Sequence, residues 1–194
     1  MIGNTIAERQ NTKSEVQSEI SQNWASQQTI LGPVLAVPYK HTVNLENEHG
    51  QKQVRTSIQL AYILPQQFQV DSELKPEVRS RGIYQSIVYT SYLKAQGAFN
   101  LKAIEELGIS NDAILWKDAF MVLGVPCMKG INQKPAFLVQ GKVQELLPGV
   151  NGVSFINSGL YTPVSVLAGQ TNIPFSLSLA LRGNESYSII PVGK

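Results

Sequence analysis

The chain has 194 residues, with 16 Lys+Arg against 14 Asp+Glu and a formal net charge of +2. A chain of this mass exposes ~31,000 Å² unfolded and ~9,000 Å² as a compact fold, so folding hides about 70% of the surface and supports a real core. The 43% apolar content excludes disorder throughout, the charge excludes a strongly basic nucleic-acid binder, and no apolar run reaches the ~20 residues needed to span a bilayer.

Residues 5–28 read as a helix, free of Gly and Pro, with Val16, Ile20 and Trp24 recurring every four residues on one stripe. A polar helix of this kind gains little from its own propensity. It is either docked on a sheet by that stripe or emerging from a membrane span that this chain does not include. If Trp24 is core-packed, Trp24→Ala costs roughly 3 kcal/mol. Nothing before it resembles a signal peptide: Ile2-Gly3-Asn4-Thr5 offers neither a basic nor an apolar region.

From Gly32-Pro33 onward the period changes to two. Leu35, Val37, Tyr39 and Val43 alternate with small or polar residues, and Ile58, Leu60, Tyr62 and Leu64 do so after a polar link, which predicts a hairpin. Pro38 requires a bulge or a strand edge. Pro65 closes the second strand, Phe68 and Val70 form a short third, and residues 72–80 read as a charged connection. The longest β signal covers 82–100. It places Ile83, Ile87, Tyr89, Leu93, Ala95 and Phe99 on one face and Tyr84, Ser86, Val88 and Tyr92 on the other, with Gly97 marking a bulge or bend. A short helix follows at 101–107, capped by Asn100 and stopped by Gly108. Further β stretches are predicted at 115–125, 136–143 and 152–156. The end reads as a hairpin: Phe175, Leu177, Leu179 and Leu181 run out, 182–185 turn, and Tyr187, Ile189 and Val192 return. Its outer strand needs cover or pairing.

Chemistry-bearing patterns are sparse. His41, His49 and Cys127 have no metal-ligand spacing, so no metal or cofactor is expected. The single cysteine permits no internal disulfide, no nucleophile elbow or phosphate-binding loop is present, and Glu105 and Glu106 point in different directions on their helix. Arg79 or Arg81 could hold a carboxylate or carbonyl and fix the segment before the long strand, a task suited to a guanidinium fork.

Several motifs, taken in order, resemble the inner membrane protein CreD family of cell envelope integrity proteins. They are the polar helix with Arg9, Glu15, Val16, Ile20 and Trp24, then Gly32-Pro33-Val34-Leu35-Ala36-Val37-Pro38-Tyr39. Leu64-Pro65 follows, then Leu74-Lys75-Pro76-Glu77-Val78-Arg79 and Arg81-Gly82-Ile83-Tyr84. The last are Phe175-Ser176-Leu177-Ser178-Leu179, Arg182-Gly183-Asn184-Glu185 and Pro191-Val192-Gly193. Where that family places an acidic residue and an arginine before Gly-Ile, this chain has Pro126-Cys127-Met128-Lys129-Gly130-Ile131, so another contact must anchor the turn.

The resemblance implies a membrane-anchored parent of the bacterial inner membrane with a large periplasmic region, linked to envelope stress and colicin tolerance. This chain would be a soluble piece of that region, cut short at its C-terminal end. No catalytic residue carries over from the family.

The expectations are therefore a mainly β (α+β) fold, an antiparallel sheet or sandwich, with a long N-terminal helix in residues 1–30, a β-rich periplasmic domain in 31–194 and one short internal helix. The expected function is non-enzymatic recognition of an envelope protein or component, with no nucleic acid and no cofactor. The alternative is a sensory domain binding a small molecule near Tyr84, Tyr89 and Tyr92. The structural candidates are Gly32, Pro33, Arg79, Arg81, Gly82 and Tyr84.

Overall fold

A computed structural model of the chain describes residues 9–12, 14–16, 18–19, 24–46, 52–166 and 170–192. Strand β1 (Gln28–Glu46) pairs antiparallel with β2 (Lys52–Ile63) from Leu35↔Ile63 out to Glu46↔Lys52. At ~3.3 Å per residue, the 19 residues of β1 extend about 60 Å. Strand β3 (Pro65–Arg81) then pairs with β4 (Tyr84–Asn100) along its whole length. The remaining elements are α1 (Ala103–Glu106), β5 (Phe120–Gly124), β6 (Ala136–Val139), β7 (Lys142–Gln144), β8 (Leu147–Pro148), β9 (Gly159–Pro163), β10 (Asn172–Asn184) and β11 (Tyr187–Ile190).

These strands form two sheets, one in the order β11-β1-β5-β9-β8 with β2 also on β1, the other β3-β4-β10-β6-β7. All pairings are antiparallel except β1 with β11. One buried cluster draws Leu35, Val37, Ile63, Met121 and Leu123 from the first sheet and Leu93, Phe99, Phe137, Phe175, Leu177 and Leu181 from the second. The expected mainly β, antiparallel fold, a sheet or a sandwich, is therefore present as two sheets. A second cluster on the far side of the first sheet packs Val34, Ala36, Phe120 and Val122 under Val153 and Ile156.

Where described, the N-terminal segment is helical at residues 9–12, 14–16, 18–19 and Trp24, and Ile20 lies outside the described residues. The long helix over 5–28 is not seen. Its expected end is corrected: Ala25 takes φ 119°, and Gln28 already opens β1.

Other expectations change as well. Residues 72–80 are strand, not connection: β3 is an edge strand whose ladder to β4 needs no buried side chains, so charges and Pro76 are tolerated there. In β2 the core-facing residues are Ala61 and Ile63, while Leu60 and Tyr62 pack against the second cluster. Pro38 breaks no register with β2. It sits where β5 has ended, and its carbonyl accepts the Leu115 N–H at 2.8 Å. Residues 152–156 are turn, with the strand starting later at Gly159.

The terminal hairpin does not exist. β10 is already flanked by β4 and β6, and the chain turns at Glu185 (φ 61°) into the other sheet, where β11 pairs parallel with Gln28–Leu31. The short helix expected over 101–107 is the single turn α1: Asn100 Oδ1 accepts the Lys102 N–H ahead of it, but Lys102 is the N-cap and no side chain caps it, while Gly108 follows the segment with φ 68°. Opposite Gly97 lies a bulge on β3 at Gln67 (φ 54°).

The β1–β2 and β3–β4 ribbons project from opposite ends of the sandwich, because β3 continues the path of β2 through Leu64. The chain exposes 12,151 Å², about a third more than a compact chain of its mass. Both ribbons contribute to this surface, with Val54 and Ile58 on one and Val78 and Ile87 on the other more than 60% exposed.

Candidate functional site

The alternation in β3 is amphipathic. Leu74, Pro76 and Val78 share one face, and Glu73, Lys75, Glu77, Arg79 and Arg81 share the other. Register with β4 sets Val78 opposite Ile87 and Leu74 opposite Ser91. This apolar face continues the side on which Leu93, Ala95 and Phe99 enter the core.

The first sheet stops short of it. Gln28, the first residue of β1, bonds to Ser186 and Arg182, which lie level with Tyr89 and Thr90 of β4. Outward of that level the inner face of the second sheet overhangs. Val78 is 62% exposed, Ile87 65% and Ile83, in the turn after Gly82, 85%. The expected face is real, but among the described residues only its inner half is covered.

The charged face is tied to the N-terminal segment. Trp24 Nε1 donates to the Tyr89 carbonyl at 3.1 Å, and the guanidinium carbons of Arg79 and Arg182 lie 4.6 and 4.9 Å from the indole centroid. Arg81 pairs with Glu19, Arg79 with Glu77 at 2.7 Å, and the Tyr84 hydroxyl donates to the Arg9 carbonyl at 3.5 Å. Val88 to Ser91 are buried on both sides of the sheet as a result. Trp24 is half-buried rather than core, so Trp24→Ala is expected to cost about 2 kcal/mol, combining partial packing loss with two cation–π contacts. A thermal melt checks this, and a change within error would show that the indole does not hold the segment.

Four of the candidates from sequence, Arg79, Arg81, Gly82 and Tyr84, thus gather at the outer end of the β3–β4 ribbon. Gly32 (φ 101°) and Pro33, joined by a cis peptide, lie elsewhere, at the register shift of β1 against β5.

A profile of the family described as inner membrane protein CreD matches residues 1–194. The chain belongs to the inner membrane protein CreD family. The inner membrane protein CreD of Escherichia coli (strain K12) is 27% identical over 195 residues. That alignment covers all of this chain and 42% of the relative, so the chain spans less than half of that protein's length. No solved structure matches the chain significantly. Among the described residues, no helix is long and apolar enough to cross a membrane.

The departure at Pro126–Ile131 from the pattern expected of CreD proteins is met by a residue that sequence reasoning missed. Gln28 is fully buried, and its Nε2 donates to the carbonyls of Cys127 and Arg182, each at 3.1 Å. That amide ties the turn at Met128–Gly130 to β10. Gly130 is required by the closeness: a Cβ there would overlap Gln28 Nε2 and the Arg182 carbonyl. Beside it, burial pushes the half-buried Cys127 thiol up, but hydrogen bonds from the Ser26 backbone and hydroxyl and from the Gly130 and Lys129 backbone outweigh it. The thiol is held below its usual range.

Tyr89 closes the cluster. Its hydroxyl donates to the Ser186 carbonyl at 2.6 Å, and its ring meets Tyr187 edge-on at 5.7 Å. Burial of the phenol exceeds the lowering pull of the Gln28 backbone, and Tyr187 adds a smaller push, so its pKa is raised to about 12. The folded state therefore holds this proton more tightly than the unfolded chain. The contribution is intact below about pH 10 and is lost as pH rises toward 12, up to roughly 3 kcal/mol. Tyr89→Phe should flatten the alkaline fall in melting temperature relative to the parent chain, and parallel alkaline profiles would contradict this.

His41 lies on the other ribbon, 3.5 Å from Gln59 Nε2, and His49 is outside the described residues. An open groove of about 620 Å³ is lined by Ile114, Trp116, Lys117, Asp118 and Val166. Between the sheets, a gap beside Met121, Phe137 and Leu177 holds about 10 Å³.

Proposed function

We propose that this chain is a periplasmic recognition domain of a membrane-anchored envelope protein, working by contact rather than by catalysis in envelope integrity or stress response. The observation behind this reading is the uncovered apolar face of the β3–β4 ribbon, backed by a charged face fixed to the N-terminal segment through Trp24, Arg79 and Arg81. Several large aliphatic side chains aligned on one exposed surface mark an interaction site. Membership in a family of inner membrane proteins supports this reading, since such proteins reside in the envelope.

The test uses the full-length protein in its native envelope, with a photocrosslinking residue at Ile87 or, as control, at Gln53 on the other ribbon. Adducts that form at Ile87 and not at Gln53 support the reading. Absence of adducts above control, together with a small molecule that raises the melting temperature and alters Trp116 fluorescence, would replace it with a sensor built on the groove beside Trp116.

A further inference from the structure

We propose that the outer face of the second sheet is a binding trough for an acidic glycan, a sugar chain that carries carboxylate groups. The trough lies on the side of that sheet away from the core, so it is separate from the apolar face of the β3–β4 ribbon and does not rest on the reading of that face.

Strand alternation builds it. Phe175, Leu177, Leu179 and Leu181 of β10 enter the core, so Pro174, Ser176, Ser178 and Ala180 face the other way. These side chains are short. Beside the last three, in register on β4, stand the longer Gln96, Lys94 and Tyr92. Short residues flanked by longer ones leave a depression along the strand. Two hollows of about 310 and 510 Å³ meet at Gln67 and Ala98. A third, of about 260 Å³, continues past Lys94 and Ser178 to Tyr92, Gln133 and Lys134. From Asn172 to Ala180 the line runs about 26 Å, which suits a chain better than a compact molecule. The bulge on β3 puts Gln67 at the junction of the first two hollows, and bulges of this kind re-aim side chains beside binding sites.

The lining chemistry selects the occupant. Its polar part is dominated by the side-chain amides of Gln66, Gln67, Gln69, Gln96, Asn100 and Asn172. An amide carries an acceptor and two donors on one planar group, which matches hydroxyls that donate and accept at once. Gln96 Nε2 donates to Gln69 Oε1 at 3.0 Å, which orients both amides before any ligand arrives. Lys94, Lys102 and Lys134 also line the trough, no carboxylate does, and none of the three is in an ion pair among the described residues. Asp71, in register with Lys94, accepts from Gln69 instead. The trough therefore offers unpaired positive charge among hydroxyl-binding groups.

Other extended or anionic ligands fit less well. β4 and β10 are each flanked by strands on both sides, so a peptide finds no open strand edge along the floor. None of the large exposed aliphatic side chains lies in the trough, which leaves little for an acyl chain or for the apolar centre of a protein interface. Single-stranded nucleic acid is held by successive aromatic platforms, whereas the trough has Tyr92 at one end and the half-buried Phe68 toward the other.

The experiment titrates the isotope-labelled chain with four probes at low ionic strength: alginate oligosaccharides, which carry hydroxyls and carboxylates; dextran oligosaccharides, with hydroxyls alone; polyglutamate, with carboxylates alone; and oligothymidylate. Alginate is expected to shift the backbone amide signals of residues 96–98, 133–136 and 174–180, and to bind about tenfold more tightly than each of the others. Ser178→Trp, which obstructs the trough, should weaken alginate about tenfold. Lys94→Gln with Lys134→Gln should weaken it about fivefold and reduce its salt dependence. Val54→Trp, on the other ribbon, should leave it unchanged. These positions are exposed, and matching melting curves confirm that each variant is folded.

Absence of alginate binding at millimolar probe overturns the proposal. So does binding of polyglutamate or oligothymidylate as tight as that of alginate, which would mean charge alone, or equal binding of dextran, which would remove the acidic requirement. Shifts confined to residues outside the trough, or full affinity in both the Ser178 and the paired lysine variants, would also end it.

Discussion

Replacing Phe175 with alanine is expected to lower stability by about 4 kcal/mol, which for a chain of this length is a fall in melting temperature of roughly 8–16 °C. Phe175 sits on β10, the central strand of its sheet, with its ring centroid 5.0 Å from that of Phe99 and 6.2 Å from those of Phe68 and Phe137. It therefore joins residues from β3, β4 and β6. Removing it opens a cavity that three aromatic rings cannot fill without leaving their rotamers, and close packing makes such a hole costly. Thermal and urea melts against the parent chain measure the effect. A fall of only a few degrees would show that the rings collapse onto the space or that they do not form the centre of the core.

Gly130→Ala is expected to cost about 3 kcal/mol by overpacking. The added methyl meets the Arg182 carbonyl, which is fixed in β10, and the Gln28 amide, which is held by its two carbonyl acceptors. The turn must then shift away from β10, stretching the bridge between Ile131 and Leu181. A double-mutant cycle tests the cause. With Gln28→Ala already present, half of the obstruction is gone, so Gly130→Ala should cost about 1 kcal/mol less. Strict additivity would place the strain elsewhere.

These two sites show different degrees of legibility. The inward row of Phe175, Leu177, Leu179 and Leu181 is plain in the period-two pattern, because a strand's face is decided by local alternation. Which strand pairs with which is not local. Tyr187 and Ile189 look like the return arm of a hairpin, yet both edges of β10 are taken and β11 crosses to β1. Residues 72–80 carry enough charge to pass for a connection because an edge strand on an overhanging ribbon hides little. The same alternation that groups Ile83 and Ile87 with Leu93 and Phe99 is correct about the face and silent about where the covering sheet ends. Arg79, Arg81, Gly82 and Tyr84 can be singled out from their run of motifs. Gln28 cannot, since its carbonyl partners lie 99 and 154 positions away.

The parallel pairing of β1 with β11 has a mechanical consequence. The chain enters the first sheet at Gln28 and leaves it after Ile190, and the two strands run side by side in the register Gln28↔Tyr187 to Leu31↔Ile190. Tension applied between the regions flanking these strands loads that seam in shear, so its bonds must rupture together instead of peeling one by one. A body closed this way resists a pull applied at Gln28 and Ile190 better than one closed by an antiparallel seam that could peel.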